Sequence, residues 1–273
     1  MQTIRISTVL VVLTVLLAGC SGGGVTDGAP STDSTETDAD DTEANADDTE
    51  TDASATGSDD LSLSAADENL RAAGSFTTQW SYTVQDVDGS TIRFNNTYEV
   101  DLDAERSREV YATSGPEAAT DYEIFVADGA SYTRYGSGAD AFYQTSDQAP
   151  SVFDSATGRA AGFYNYLEED AEFVGTETYD GVTVSRYDYS DADAWQTYNQ
   201  GATSTMFGGD EEVTITDFSI SVLVDGNGVA RLTTWTLTGE TADGDPASVE
   251  WSYSITDIGS TSVEDPAWLD EAQ

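Results

Sequence analysis

From Phe76 the chain alternates. Phe76, Trp80, Tyr82 and Val84 share one parity, and Thr77, Gln79, Ser81, Thr83 and Gln85 take the other. That period of two is the signature of a strand with one apolar and one wet face. Asp88-Gly89 predicts a turn. The pattern then resumes with Ile92, Phe94, Tyr98, Val100 and Leu102 inward and Arg93, Asn95, Thr97, Glu99 and Asp101 outward, while Asn96 interrupts the inward series. Further strands are expected over 108–113, 122–127, 131–135, 171–178, 182–189, 213–224, 229–238 and 249–258. Turns such as Asp128-Gly129, Asp180-Gly181 and Asp225-Gly226-Asn227-Gly228 are too short for parallel crossovers, so neighbouring strands are expected to be antiparallel.

Three segments break this rhythm. Ser64, followed by Asp67, Leu70, Ala73 and Gly74, predicts a short opening helix with a capping box at its start. Ala156, Ala160, Phe163, Tyr164 and Leu167 fit one face of a second helix, and Trp195, Tyr198, Ala202 and Met206 one face of a third. Within 213–224 the apolar parity switches from Val213 and Ile215 to Phe218, Ile220, Val222 and Val224, which predicts a β-bulge near Thr216-Asp217.

Upstream of residue 61 the pattern is of another kind. Residues 1–19 carry one charge, Arg5, and the apolar run Val9 to Leu17, followed by Ala18-Gly19-Cys20. The run is shorter than the roughly 20 residues of a spanning helix and reads as an export signal. No Arg pair precedes it, which favours the general secretion route over a twin-arginine one. Residues 21–60 hold 13 Asp or Glu and 13 Ser or Thr, with no Arg and no aromatic residue. Such a segment lacks the apolar surface to offset chain entropy, and residues 20–60 are expected to act as a disordered tether. Residues 61–273 then form one domain.

Composition narrows the chemistry. All nine basic residues are Arg, and the chain has no His and a single Cys. It therefore has no imidazole base, lysine Schiff base, disulfide or His-ligated zinc. The formal charge of −43 opposes nucleic-acid binding. A surface this acidic suits molar salt, where the screening length falls to about 3 Å, and a halophilic origin is expected.

Leu17-Ala18-Gly19-Cys20 resembles the lipobox of bacterial and archaeal lipoproteins. By that resemblance Cys20 becomes the lipidated first residue of a protein held at the extracytoplasmic face of the cell membrane. With the acidic tether, opening helix, about ten antiparallel strands and two interrupting helices, the chain resembles the LolA/LppX-type carriers, and more narrowly the haloarchaeal lipoproteins of that architecture. The hairpin from Gly175 to Tyr187 and the closing Pro266-Ala267-Trp268-Leu269 are similar to corresponding parts of that group. The resemblance implies a mainly β (α+β) fold, a curved antiparallel sheet forming a half-open barrel with a few helices on its concave side. It also implies handling of lipid or another hydrophobic ligand; no catalytic residue and no cofactor are expected, since the chain lacks His, Lys and a Gly-x-Ser-x-Gly elbow.

Trp80, Tyr82, Phe94, Tyr98, Trp235, Trp251 and Tyr253 fall on inward faces and are the candidate ligand lining, since aromatics with a polar tip suit an amphiphile pocket. An ordinary packed core would give the same pattern. Asn95-Asn96-Thr97 is the one glycosylation sequon, with Asn95 on the wet face. Asp86-Val87-Asp88-Gly89 and Asp243-Gly244-Asp245 bring oxygens together as calcium requires, yet neither continues into an EF-hand loop, so no metal site is assigned. Glu168-Glu169-Asp170 and Asp210-Glu211-Glu212 are nominal carboxylate pairs without catalytic context. The alternative to a ligand carrier is a non-catalytic envelope protein that contacts the surface layer or another exported protein.

Overall fold

The structure is a computed structural model and describes residues 61–115, 121–158, 171–192, 195, 207 and 213–273. The signal segment, Cys20, the tether, most of the two expected interrupting helices and both nominal carboxylate pairs lie outside the described residues.

Eleven strands form one antiparallel sheet. In chain order they are β1 Ser75–Gln85, β2 Thr91–Asp101, β3 Arg106–Ser114, β4 Tyr122–Ala127, β5 Ala130–Tyr135, β6 Phe142–Ser146, β7 Glu172–Tyr179, β8 Val182–Ser190, β9 Val213–Asp225, β10 Ala230–Thr241 and β11 Pro246–Thr256. Their lateral order is β6-β5-β4-β3-β2-β1-β11-β10-β9-β8-β7, so the sheet stays open, with β6 and β7 as its edges. Ten of these strands match the alternation. β6 does not, because Phe142-Tyr143-Gln144-Thr145-Ser146 is too short and too polar to show a period. Among the described residues three short α-helices accompany the sheet: α1 Ala66–Ala73, α2 Val152–Thr157 and α3 Leu269–Ala272.

The turns explain the order. β4 and β5 pair as Ala127↔Ala130, and β7 and β8 as Tyr179↔Val182, leaving two-residue loops. In each loop the Asp and the Gly both take positive φ: Asp128 and Gly129 at 53° and 75°, Asp180 and Gly181 at 50° and 76°. This turn matches the right-handed twist of the flanking strands. The bulge expected in β9 is present: Thr238 faces Asp217 and Gly239 faces Ile215, which leaves Thr216 as the extra residue. Gly239 sits against that bulge. A Cβ there would meet the Val213 methyl at 2.6 Å and the Thr214 carbonyl at 2.8 Å, so the position has no room for a side chain.

The capping box is absent. α1 starts at Ala66 behind Ala65, which offers no side-chain bond, and Ser64 Oγ lies 3.3 Å from Ser62 Oγ instead. The expected stop at Gly74 is there, in the left-handed conformation with its N–H on the Arg71 carbonyl. α2 begins earlier than its apolar spacing suggests, because Ser151 accepts the Asp154 N–H and caps it.

Two cores result, one on each face. Between β6 and β7 the chain passes from one edge of the sheet to the other, and α2 on that passage lies on the inner, concave face. Phe153 of α2 meets Phe76 edge-on at 5.9 Å, and the Tyr253 hydroxyl donates to the Ala156 carbonyl at 2.9 Å. Leu70 of α1, Trp195 and Phe207 join the same core. The second, smaller core lies on the outer face, where the segment after β11 brings Val263 and Trp268 against Phe125 and Ala127.

Candidate functional site

Register decides which inward side chains meet. Trp80 stands opposite Tyr253 on one side and Asn96 on the other. Asn96 faces Tyr111, Tyr111 faces Tyr122, Tyr122 faces Tyr135, and Tyr135 faces Phe142. A second row runs from Phe94 through Tyr82 and Trp251 to Trp235. All seven residues expected to line a ligand site therefore share the inner face, joined by Tyr111, Tyr122, Tyr135, Phe142 and Trp195, which the alternation alone did not single out.

The rings are in contact. Trp235 lies 5.7 Å from Trp195 and 6.3 Å from Trp251, and Trp251 stacks on Tyr253 at 6.1 Å. Tyr82 bridges Trp235 and Phe94. Tyr111 and Tyr122 stack at 4.7 Å, and the row ends with Tyr135 over Phe142 at 6.0 Å. Exposure is greatest at the β6 end. Tyr98, Trp235, Trp251 and Tyr253 are buried, Trp80, Tyr82 and Phe94 are half-buried, and at the edge Tyr135 is 37% and Phe142 62% exposed. The inner face is thus a packed floor under β9, β10 and β11 that continues as an aromatic surface toward β6.

A buried polar group interrupts the aromatics. Glu109 accepts hydrogen bonds from the Asn96 amide at 2.5 Å and from the Tyr122 hydroxyl at 3.2 Å. Beside it the Tyr98 and Ser107 hydroxyls lie 3.2 Å apart. Asn96, the residue that breaks the inward pattern, is therefore a partner of a buried carboxylate, and such pairing is what makes burying a polar group tolerable.

Burial pushes the Tyr82 phenol from 10.0 up to about 12. Because its folded value is raised, the unfolded chain ionises first. The stabilisation is whole below pH 10 and is lost as pH rises through about 12. Tyr82→Phe should flatten the fall in stability across that window, an effect of about 2 kcal/mol. Urea unfolding at fixed salt between those pH values reads it, and parallel curves for both proteins would show that Tyr82 does not contribute.

Asn95 is exposed on the outer face, on the same side of β2 as Thr97. A cleft of about 190 Å³ beside it is lined by Gln79, Ser81, Thr97, Ser252 and Ser254, without a charged side chain. A family model described as "Family of unknown function (DUF7537)" matches residues 5–272. This chain belongs to that family. No curated protein matches it. Among solved structures, LprF from Mycobacterium bovis is similar over 76% of this chain and 98% of its own, at 11% identity and a TM-score of 0.33. The LolA superfamily protein NE2245 from Nitrosomonas europaea is similar over 74% of this chain and 93% of its own, at 13% identity and a TM-score of 0.25.

The charged groups of this DUF7537 domain serve its architecture. On the outer face Glu123 takes Arg108 at 2.7 Å and Arg134 at 2.8 Å. Arg231, buried at the β10 bulge, reaches Asp225 at 3.6 Å and Asp180 at 3.4 Å, tying two hairpin turns together. In the turn from Asp86 to Gly89 the carboxylates bond their own backbone, Asp86 accepting the Val87 N–H at 2.7 Å. Asp88 accepts the Ser90 N–H at 2.7 Å, which holds its carboxyl below the usual carboxylate range. Among the described residues no group of three or more His, Cys, Asp or Glu is arranged to hold a metal.

Proposed function

We propose that the protein is an extracytoplasmic lipoprotein, anchored through a lipid on Cys20 and held out on its acidic tether, whose inner face takes up lipid or another hydrophobic ligand. The observation that carries the reading is the aromatic row that begins in the packed interior at Trp235 and Trp251 and emerges at Tyr135 and Phe142 on an open sheet. A soluble domain gains nothing in stability by leaving a phenylalanine 62% exposed beside a stacked tyrosine; such a contiguous surface serves contact with an apolar partner. In this reading Tyr98, Trp235, Trp251 and Tyr253 form the floor, and Trp80, Tyr82 and Phe94, extended by Tyr122, Tyr135 and Phe142, receive the ligand. Rings carrying hydroxyls suit an amphiphile, whose polar end then lies near the Glu109 and Asn96 cluster.

Titration of the delipidated domain in molar salt with dansylaminoundecanoic acid tests the reading. Saturable uptake is expected, with energy transfer from Trp80 to the dansyl group, weakened about tenfold in the Tyr135→Ser, Phe142→Ser double variant. No saturable uptake, together with a solvent extract of the native protein that contains no acyl chains, sinks it. Mass spectrometry of the same native protein also reads the acylation of Cys20 and a glycan on Asn95. An unprocessed amino terminus refutes the anchor, and an unmodified Asn95 peptide refutes glycosylation.

A further inference from the structure

The two edges of the sheet are guarded unequally. An edge strand presents a row of backbone donors and acceptors, and proteins usually blunt it with charges, proline, a bulge or a cover. β7 is blunted. It carries Glu172 and Glu177, and its pairing with β8 slips between Phe173 and Gly175, leaving Val174 in a bulge. Among the described residues β6 is blunted only by its shortness. In a chain with 52 acidic residues, Phe142-Tyr143-Gln144-Thr145-Ser146 contains no charge and no proline. Its register with β5 runs without a bulge from Tyr135↔Phe142 to Ser131↔Ser146. Every residue of β6 except Tyr143 is exposed, and among the described residues no strand pairs with its outer side.

The side chains around β6 describe what would fit. On the inner face Phe142 and Tyr135 offer an exposed apolar surface. On the outer face α3 is fixed to β6 through the Tyr143 hydroxyl on Glu271 and the Thr145 hydroxyl on the Ala272 carbonyl at 3.0 Å. That contact places the acids of α3, Asp270 and Glu271, alongside the strand, and Asp140 and Asp147 flank it in sequence. Arg134 on the neighbouring strand is held by Glu123 at 2.8 Å and leaves this acidity in place.

We propose that β6 is a docking edge for an extended segment of another polypeptide whose residues alternate between apolar and basic. Added as a twelfth, antiparallel or parallel strand, such a segment turns its apolar residues to Phe142 and its Arg or Lys residues to the acids of α3, while its backbone satisfies the edge. A second copy of this chain is the poorer occupant. It would bring together two bodies of formal charge −43 over a five-residue strand, far short of the roughly 1,200 Å² that a stable interface buries. The edge shares Phe142 with the proposed ligand surface, but backbone protection at residues 142–146 and uptake of a fatty acid are read separately, so either can fail alone.

The full mature protein in molar salt is titrated with a labelled decapeptide of alternating Val and Arg and, separately, with one of alternating Pro and Arg. The two carry equal charge, but proline supplies no donor to a ladder. The Val-Arg peptide is expected to bind at least about tenfold more tightly and to slow amide exchange at residues 142–146. Asp270→Lys, a change on the exposed outer side, should weaken binding about tenfold and Asp270→Glu preserve it, while both leave uptake of the dansyl fatty acid unchanged. Equal affinity for the two peptides, absence of binding, or protection centred on residues 172–179 overturns the proposal. So does a concentration-dependent dimer whose contact protects residues 142–146 from exchange, since the occupant is then a second copy.

Discussion

Trp235→Ala should lower the stability of the folded domain by about 4 kcal/mol, near the upper end of large-to-small core substitutions. The side chain is 2% exposed and touches four other aromatic rings: Tyr82, Trp195, Phe218 and Trp251. Its removal forfeits the transfer of a large apolar surface and leaves a void that a rigid sheet cannot collapse, and it also breaks ring pairs worth about 0.5–1.5 kcal/mol each. Trp235→Phe fills part of the void and should cost about half as much. Urea unfolding followed by near-ultraviolet circular dichroism at constant salt measures both. The result also separates two roles for the inward aromatics. A residue lining an open ligand cavity would lose little on truncation, so a cost below about 1 kcal/mol would mean that the floor under β9 to β11 is a cavity wall rather than packed core.

Trp268→Ala should cost about 3 kcal/mol, and its effect should be confined to one side of the sheet. Trp268 is 6% exposed, lies 6.0 Å from the Tyr143 ring and has the Arg134 guanidinium 5.7 Å from its own ring centre. With Val263 it covers Phe125, in a cluster that shares no residue with the larger core. Because stability is lost in cooperative units rather than uniformly, the variant should release the C-terminal strap and speed amide exchange in β5 and β6 while leaving β9 and β10 protected. Equal acceleration across all strands would show instead that the strap is coupled to the whole fold. Loss of the strap would also remove Glu271 from β6 and weaken the edge proposed to receive a basic segment.

Much of the fold was legible because alternation and turn chemistry are local. The parity of Phe76 to Gln85 and the Asp-Gly pairs gave ten strands and their antiparallel sense, and the parity switch at Thr216-Asp217 located a bulge before any partner strand was known. The aromatic row was legible only in part. Trp80, Tyr82 and Phe94 stand out in strands with clean alternation, whereas Tyr111 lies next to Val110, and that pair blurs the parity of β3. Even so, one signal for Tyr122 and Tyr135 was present. A two-residue turn at Asp128-Gly129 forces residues equidistant from it to pair, and Tyr122↔Tyr135 is such a pair. Glu109 had no signal of its own, because among 52 acids only the approach of Asn96 and Tyr122 sets it apart.

What the sequence by itself determined was each strand's two faces, most of its turns, the acidic exterior and the confinement of aromatic residues to the part after residue 60. These follow from interactions within a few residues of one another and from charge counts. The tertiary structure alone decided that β1 pairs with β11, that β6 ends the sheet as an uncharged edge while β7 is guarded, and that the last residues form a second core on the outer face. Each of these depends on contacts between segments far apart in the chain, whose partners are selected by which buried surfaces remain uncovered once the whole sheet has assembled.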